Sequence, residues 1–229
     1  MRHLIAGLGA ALALAGCAVT AAPPALLPPA VAARNFVEVA SVVEPVAEQV
    51  CRQQAPAGLS CDFVIVVDDR PGVPPNAFQF RGPDDRPVVG FTVPLIADAR
   101  NVDELAFVLG HEAAHHIAGH RERQDLGARD GAIAGLTLAR ERGVTQAETE
   151  ALVRIGAAIG AQRFGKTFEL EADAIGAVIA ARAGFDPAIG VRFFDRLPDP
   201  GDQFLGTHPP NAERIARVER IARRLGTGS

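Results

Sequence analysis

Five consecutive residues, His111-Glu112-Ala113-Ala114-His115, limit what this 229-residue chain can become more than any other stretch. Asn101 and Glu104 stand at capping-box spacing ahead of them, which starts a helix running to about His120. Leu105, Phe107, Val108, Leu109 and Ile117 flank the motif, so the helix has a buried composition rather than that of a solvated, histidine-rich surface. Residues four apart share one helical face, so the His111 and His115 imidazoles can reach a single metal ion. Glu112 is rotated off that face. It is placed to meet a water at the ion's open position, and a carboxylate there can take the water's proton.

Two nitrogen ligands need a third protein ligand. One solution would place Gly at 118 and His at 121 and add a methionine turn. The chain has Ala118 and Arg121 instead, and its single Met is the first residue. The other solution takes a glutamate from a later helix. Glu169-Leu170-Glu171-Ala172-Asp173 offers it, because Glu169 and Asp173 share a face. Glu169 can then bind the ion while Asp173 accepts the other ring N–H of a ligand histidine. Glu171 is expected to point away from that face. His116 and His120 also stand four apart, but no Glu follows His116, so they are read as residues behind the ligands or on the surface.

The remaining chain supplies the frame. Arg2 and His3 precede an apolar stretch from Leu4 to Gly16, too short to span a bilayer and suited to a signal peptide over 1–16. Leu14-Ala15-Gly16-Cys17 looks like a bacterial lipobox, so Cys17 is the expected lipidation site. Residues 17–33 read as a proline-rich tether and 34–229 as the folded domain. An exported chain meets an oxidising compartment, and Cys51 and Cys61 are the expected disulfide. Apolar residues at helical spacing fill 34–54, with Pro45 expected to kink or split that helix. Short strands follow near 61–67, 76–81 and 88–93, at spacings that suggest a small, mostly antiparallel sheet. Helices then dominate: two between Leu126 and Ala161 broken near Gly143, one over 167–183, and a last one over 212–225 with Ile215, Val218, Ile221 and Leu225 as its apolar stripe. The class is α+β, mainly helical. A net charge of −4 argues against a nucleic-acid partner.

The chain resembles the HtpX/BepA-like zinc metallopeptidases, relatives of the CAAX prenyl protease. The resemblance rests on Asn76-Ala77-Phe78, Asp103-Glu104-Leu105-Ala106, Gly110 through His115, Glu169 through Asp173, and Thr207-His208-Pro209-Pro210 followed by Arg214-Ile215, in the family's order. It implies a zincin-like fold, one zinc at His111, His115 and Glu169, and Glu112 as general base. It also implies a soluble catalytic domain like the periplasmic members, without the membrane spans of the HtpX type. Peptide hydrolysis builds negative charge on the carbonyl oxygen, which needs a facing donor. The chain has no Tyr to supply it. His208 is the leading candidate, with Arg214 behind it. His208 has two other readings: a ligand at the open zinc position that keeps the enzyme latent, or a cap near the last helix.

The expected activity is that of a metalloendopeptidase lipid-anchored in the bacterial envelope, facing the periplasm on the outer membrane and cleaving unfolded or misassembled proteins. An extended substrate would pair with an edge strand, expected to be Val88 to Val93. The alternative is a non-catalytic chaperone or binding protein that retains a latent metal site.

Overall fold

In the computed structural model, residues 26–201 and 208–227 are described. The signal peptide over 1–16, Cys17 and the start of the tether lie outside them.

Helix α1 (Pro29–Gln54) begins inside the stretch assigned to the tether. Pro29 is at the first helical position, where its missing N–H costs nothing, and Ala32 is already buried. Pro45 does not split α1. Its ring lies on the exposed side, as does Ser41, whose carbonyl loses its helical donor. The opposite face buries Phe36, Val39, Val43, Ala47 and Val50. Cys51, in the last turn, is bonded to Cys61, closing the loop onto the helix end with a Cα–Cα distance of 5.6 Å.

The sheet has three strands, β1 (Val64–Asp68), β2 (Ala77–Arg81) and β3 (Pro87–Thr92), in the order β1-β3-β2. It is mixed: β2 and β3 form an antiparallel hairpin, while β1 pairs with β3 in parallel. The chain skips a strand's width between β1 and β2, and β3 returns into that gap, which forces the parallel pairing. All six residues of β3 are buried. Both its edges are taken, so the expectation that Val88 to Val93 offers a free edge is wrong. The strand with an edge free of other described strands beside the later helices is β2. Gly90 in β3 leaves room for the Phe78 ring, which a Cβ there would meet at 2.3 Å.

After the short helix α2 (Val93–Asp98), α3 (Val102–Ile117) runs through the core. The Asn101 side chain accepts the Glu104 N–H at 2.9 Å, while the Glu104 carboxylate accepts from the Arg100 N–H and from Arg196. Helices α4 (His120–Arg142) and α5 (Gln146–Gln162) form a hairpin, parted by Gly143 with φ 63°. Then α6 (Gly165–Arg182) packs directly on α3. The two backbones touch where Gly110 faces Gly176: a Cβ on Gly110 would lie 2.8 Å from the Gly176 carbonyl oxygen. No other residue type allows that approach, and it brings the segment from His111 to His115 against the one from Glu169 to Asp173.

Helix α7 (Pro187–Gly190) continues into a 3-10 turn, Val191–Arg196, and α8 (Asn211–Leu225) closes the domain. The buried stripe of α8 is Arg214, Val218 and Ala222; Ile215 and Ile221 are half-buried and Leu225 is exposed. The stripe differs from the expected one because Arg214 is drawn inward by buried carboxylates. Among the described residues, no helix is long and apolar enough to cross a membrane.

Candidate metal centre

His111 and His115 lie in the last two turns of α3, and Glu169 lies in the second turn of α6. The packing of Gly110 on Gly176 makes the three side chains converge. The two Nε2 atoms are 3.2 Å apart. The Glu169 carboxylate lies 3.6 Å from His111 Nε2 and 3.4 Å from His115 Nε2. An ion held tetrahedrally at about 2.0–2.1 Å spaces its ligand atoms by about 3.3 Å, so these three groups match a small divalent ion without rearrangement. Neutral rings with both lone pairs aimed at one point are what such an ion requires.

Electrostatics treats the two rings differently. Burial and the neighbouring His111 push His115 down to about 3, leaving it neutral. Burial also disfavours charge on His111, but its bond to Asp173 and the nearby carboxylates outweigh burial and raise it. Burial opposes ionisation of Glu169, yet the His208 bond, both rings and Arg214 hold its carboxyl well below the usual range. Glu112 behaves the opposite way, with burial raising its pKa. The two carboxylates therefore differ in kind: Glu169 is a fixed anion, and Glu112 is the one that can hold a proton.

Each ring also has a partner on its far nitrogen. His111 Nδ1 is 3.0 Å from Asp173 Oδ1. Asp173, fully buried, accepts from Arg214 Nε at 2.8 Å and from Arg214 Nη2 at 2.7 Å. The same Nη2 is 3.2 Å from Glu169 Oε2, and the guanidinium lies over the Phe194 ring at 3.9 Å. These commitments leave Arg214 Nε and Nη2 bound to carboxylates. His115 Nδ1 is 2.9 Å from His120 Nδ1, and His120 Nε2 is 3.2 Å from Glu171 Oε2.

Sequence reasoning missed the His120–Glu171 link. Glu171 does point away from Glu169, but toward His120. The available signal was Gly119, whose φ of 61° ends α3 and folds His120 back against it. His116 is buried too, with its Nε2 2.7 Å from the Ser60 carbonyl, so it joins the disulfide loop to α3.

His208 reaches the site from the segment before α8, with Nδ1 3.1 Å from Glu169 Oε2 and a half-exposed side chain. The start of α8 is met instead by Asp199, whose Oδ1 accepts the Asn211 N–H at 3.3 Å. Two cavities share Glu112, His115, Glu169 and His208 in their linings. One, about 540 Å³, is walled by Leu95, Phe107, Val108, Phe193, Phe194 and Leu197. The other, about 420 Å³, is lined by Gln79, Gln124, Gln162 and Arg121. Ala77 borders the first and Gln79 the second, so β2 runs along the rim of both.

The model of peptidase family M48 matches residues 33–222. The chain is 29% identical over 168 residues to the mitochondrial metalloendopeptidase OMA1 of Saccharomyces cerevisiae, covering 68% of this chain and 45% of that protein. It is 31% identical over 165 residues to a Vibrio cholerae protein described as a beta-barrel assembly-enhancing protease, covering 65% and 32%. The OMA1 metalloendopeptidase of Bos taurus is 26% identical over 202 residues, covering 82% and 37%. The chain thus spans less than half the length of each of these relatives. With the family model covering most of its length, the chain belongs to peptidase family M48, a family of peptide-bond hydrolases.

Proposed function

We propose that the chain is a zinc-dependent endopeptidase that cleaves extended segments of unfolded or misassembled proteins in the bacterial envelope. One observation carries the reading: Glu112 lines an open cleft beside the His111, His115 and Glu169 triangle. A metal that only braced the fold would need neither a base beside it nor access to solvent.

Two imidazoles and one carboxylate favour zinc among the available divalent ions. A bound zinc would polarise the substrate carbonyl and lower the pKa of water. The protein's own groups do the rest. Glu112 takes a proton from the attacking water as its oxygen bonds to the carbonyl carbon. It then delivers that proton to the amide nitrogen as the C–N bond breaks. Burial raises its pKa, the direction that favours taking up a proton and holding it for delivery. His208 is the donor for the charge building on the carbonyl oxygen, because its ring is half-exposed and lines both cavities. Arg214, committed to Asp173 and Glu169, is a positioning residue in this reading. Asp173 orients His111.

The β2 edge supports recognition of a main chain rather than of a folded surface, since an extended peptide can add to it beside the cleft. The apolar cavity would take a bulky side chain on one side of the scissile bond. Envelope anchoring through Cys17 is supported by the Leu14-Ala15-Gly16-Cys17 sequence and by the Cys51–Cys61 disulfide, and the Vibrio cholerae relative is consistent with an outer-membrane setting.

The test is digestion of casein by the purified mature domain. Cleavage should stop with a chelator and return with added zinc. Cleavage indifferent to the chelator, or zinc bound at full occupancy with no cleavage of casein or an unfolded envelope protein, would overturn the proposal, the latter in favour of a binding protein.

A further inference from the structure

The two histidines of the metal triangle are held in different ways. His111 has the familiar arrangement, a carboxylate on its far nitrogen: Asp173 Oδ1 at 3.0 Å from Nδ1. Among the described residues, His115 has no carboxylate in that place. Its Nδ1 faces the Nδ1 of a second imidazole, His120, at 2.9 Å.

A nitrogen-to-nitrogen contact between two neutral rings needs one proton, and the site decides where it sits. His115 points Nε2 into the triangle, so that nitrogen must be bare to bind an ion. The proton is then on His115 Nδ1, which donates to the lone pair of His120 Nδ1. His120 therefore carries its own proton on Nε2, which faces Glu171 Oε2 at 3.2 Å. Glu171 is anchored in turn by Arg123 Nη1 at 2.7 Å. Every donor meets an acceptor along this line, and no other neutral arrangement both satisfies it and leaves His115 able to bind a metal.

The rings are held in place by packing. His120 is 3% exposed and lies parallel to Phe168, with centroids 4.4 Å apart and planes 16° apart. Arg123 covers the Phe168 ring, its guanidinium carbon 4.3 Å from the centroid. The residues come from three elements: His115 from α3, His120 and Arg123 from the first turn of α4, Phe168 and Glu171 from α6.

We propose that His120 and Glu171 form an imidazole–carboxylate chain that fixes the orientation and tautomer of His115, so that the start of α4 is a positioning element of the metal centre. The inference rests on the metal-site reading above. It makes His120 a positioning residue with no contact to substrate, and it gives the α3–α4 turn at Gly119 a task in the site.

The experiment measures zinc affinity of the purified mature domain by competition with a chromogenic chelator, beside the melting temperature of the metal-free protein. His120→Phe keeps a ring against Phe168 but removes the acceptor. It should bind zinc about 10- to 100-fold more weakly, the usual cost of losing a ligand's outer partner, with the metal-free melting temperature unchanged. Glu171→Ala, a half-exposed change that leaves the core intact, should weaken zinc binding in the same direction. Wild-type affinity in both variants would overturn the proposal while leaving the metal site standing. A lowered metal-free melting temperature with unchanged zinc affinity would reduce His120 to a packing residue and also overturn it. A wild-type protein that binds no zinc would instead remove the metal-site reading itself.

Discussion

Glu112→Gln is expected to bind zinc as tightly as the wild type and to cleave casein about 10²- to 10⁴-fold more slowly, the range that a positioned general base supplies. The substitution keeps the size and the cleft-lining position of the side chain and removes only its ability to accept a proton. Glu112 is not one of the three converging donors, so the triangle of His111, His115 and Glu169 should survive intact. Two readouts separate the roles. Metal content reports the triangle, and the turnover rate reports the base. A Glu112→Gln protein that holds zinc and still cleaves at the wild-type rate would mean that the proton is taken elsewhere.

Arg214→Met is expected to have the largest effect on stability, a loss of about 3–5 kcal/mol, because it leaves a buried carboxylate without its partner. Asp173 has no exposed surface, and two of its charge-assisted bonds come from Arg214. Burial alone would push Asp173 toward its neutral form, but Arg214 and His111 together hold it ionised. With Arg214 gone, the buried carboxylate keeps only its His111 contact and must either stay charged with less compensation or take up a proton. Adding Asp173→Asn to Arg214→Met should recover part of the loss, since a neutral amide tolerates burial better than an unpaired charge. Urea unfolding of the metal-free single and double variants measures both. A loss under about 1 kcal/mol for Arg214→Met would show that the guanidinium is not the counter-charge of this cluster.

Much of the site was legible because its determinants are local. The spacing of His111 and His115, and of Glu169 and Asp173, fixes which side chains share a helical face. The cap at Asn101 and the break at Gly143 mark helix ends through backbone chemistry that acts within four residues. What the sequence did not show depends on contacts between distant segments. The order of the sheet follows from β3 entering between β1 and β2, which no hairpin spacing encodes. The inward turn of Arg214 depends on a carboxylate 41 positions away, so apolar periodicity along α8 pointed to Ile215 and Leu225 instead. The close approach of Gly110 to Gly176 is likewise a property of two helices taken together. The bond from His120 to Glu171 was hidden for the same reason: this acceptor is 51 residues away and comes into reach only after α6 has docked.

The proposed chemistry requires one divalent ion gripped by two rings of α3 and one carboxylate of α6. Its most direct test is elemental analysis of the purified mature domain beside Glu169→Ala, each dialysed against the same trace-zinc buffer. The account predicts close to one zinc per chain in the wild type and almost none in the variant. Equal zinc in the two proteins would place the ion elsewhere and contradict it.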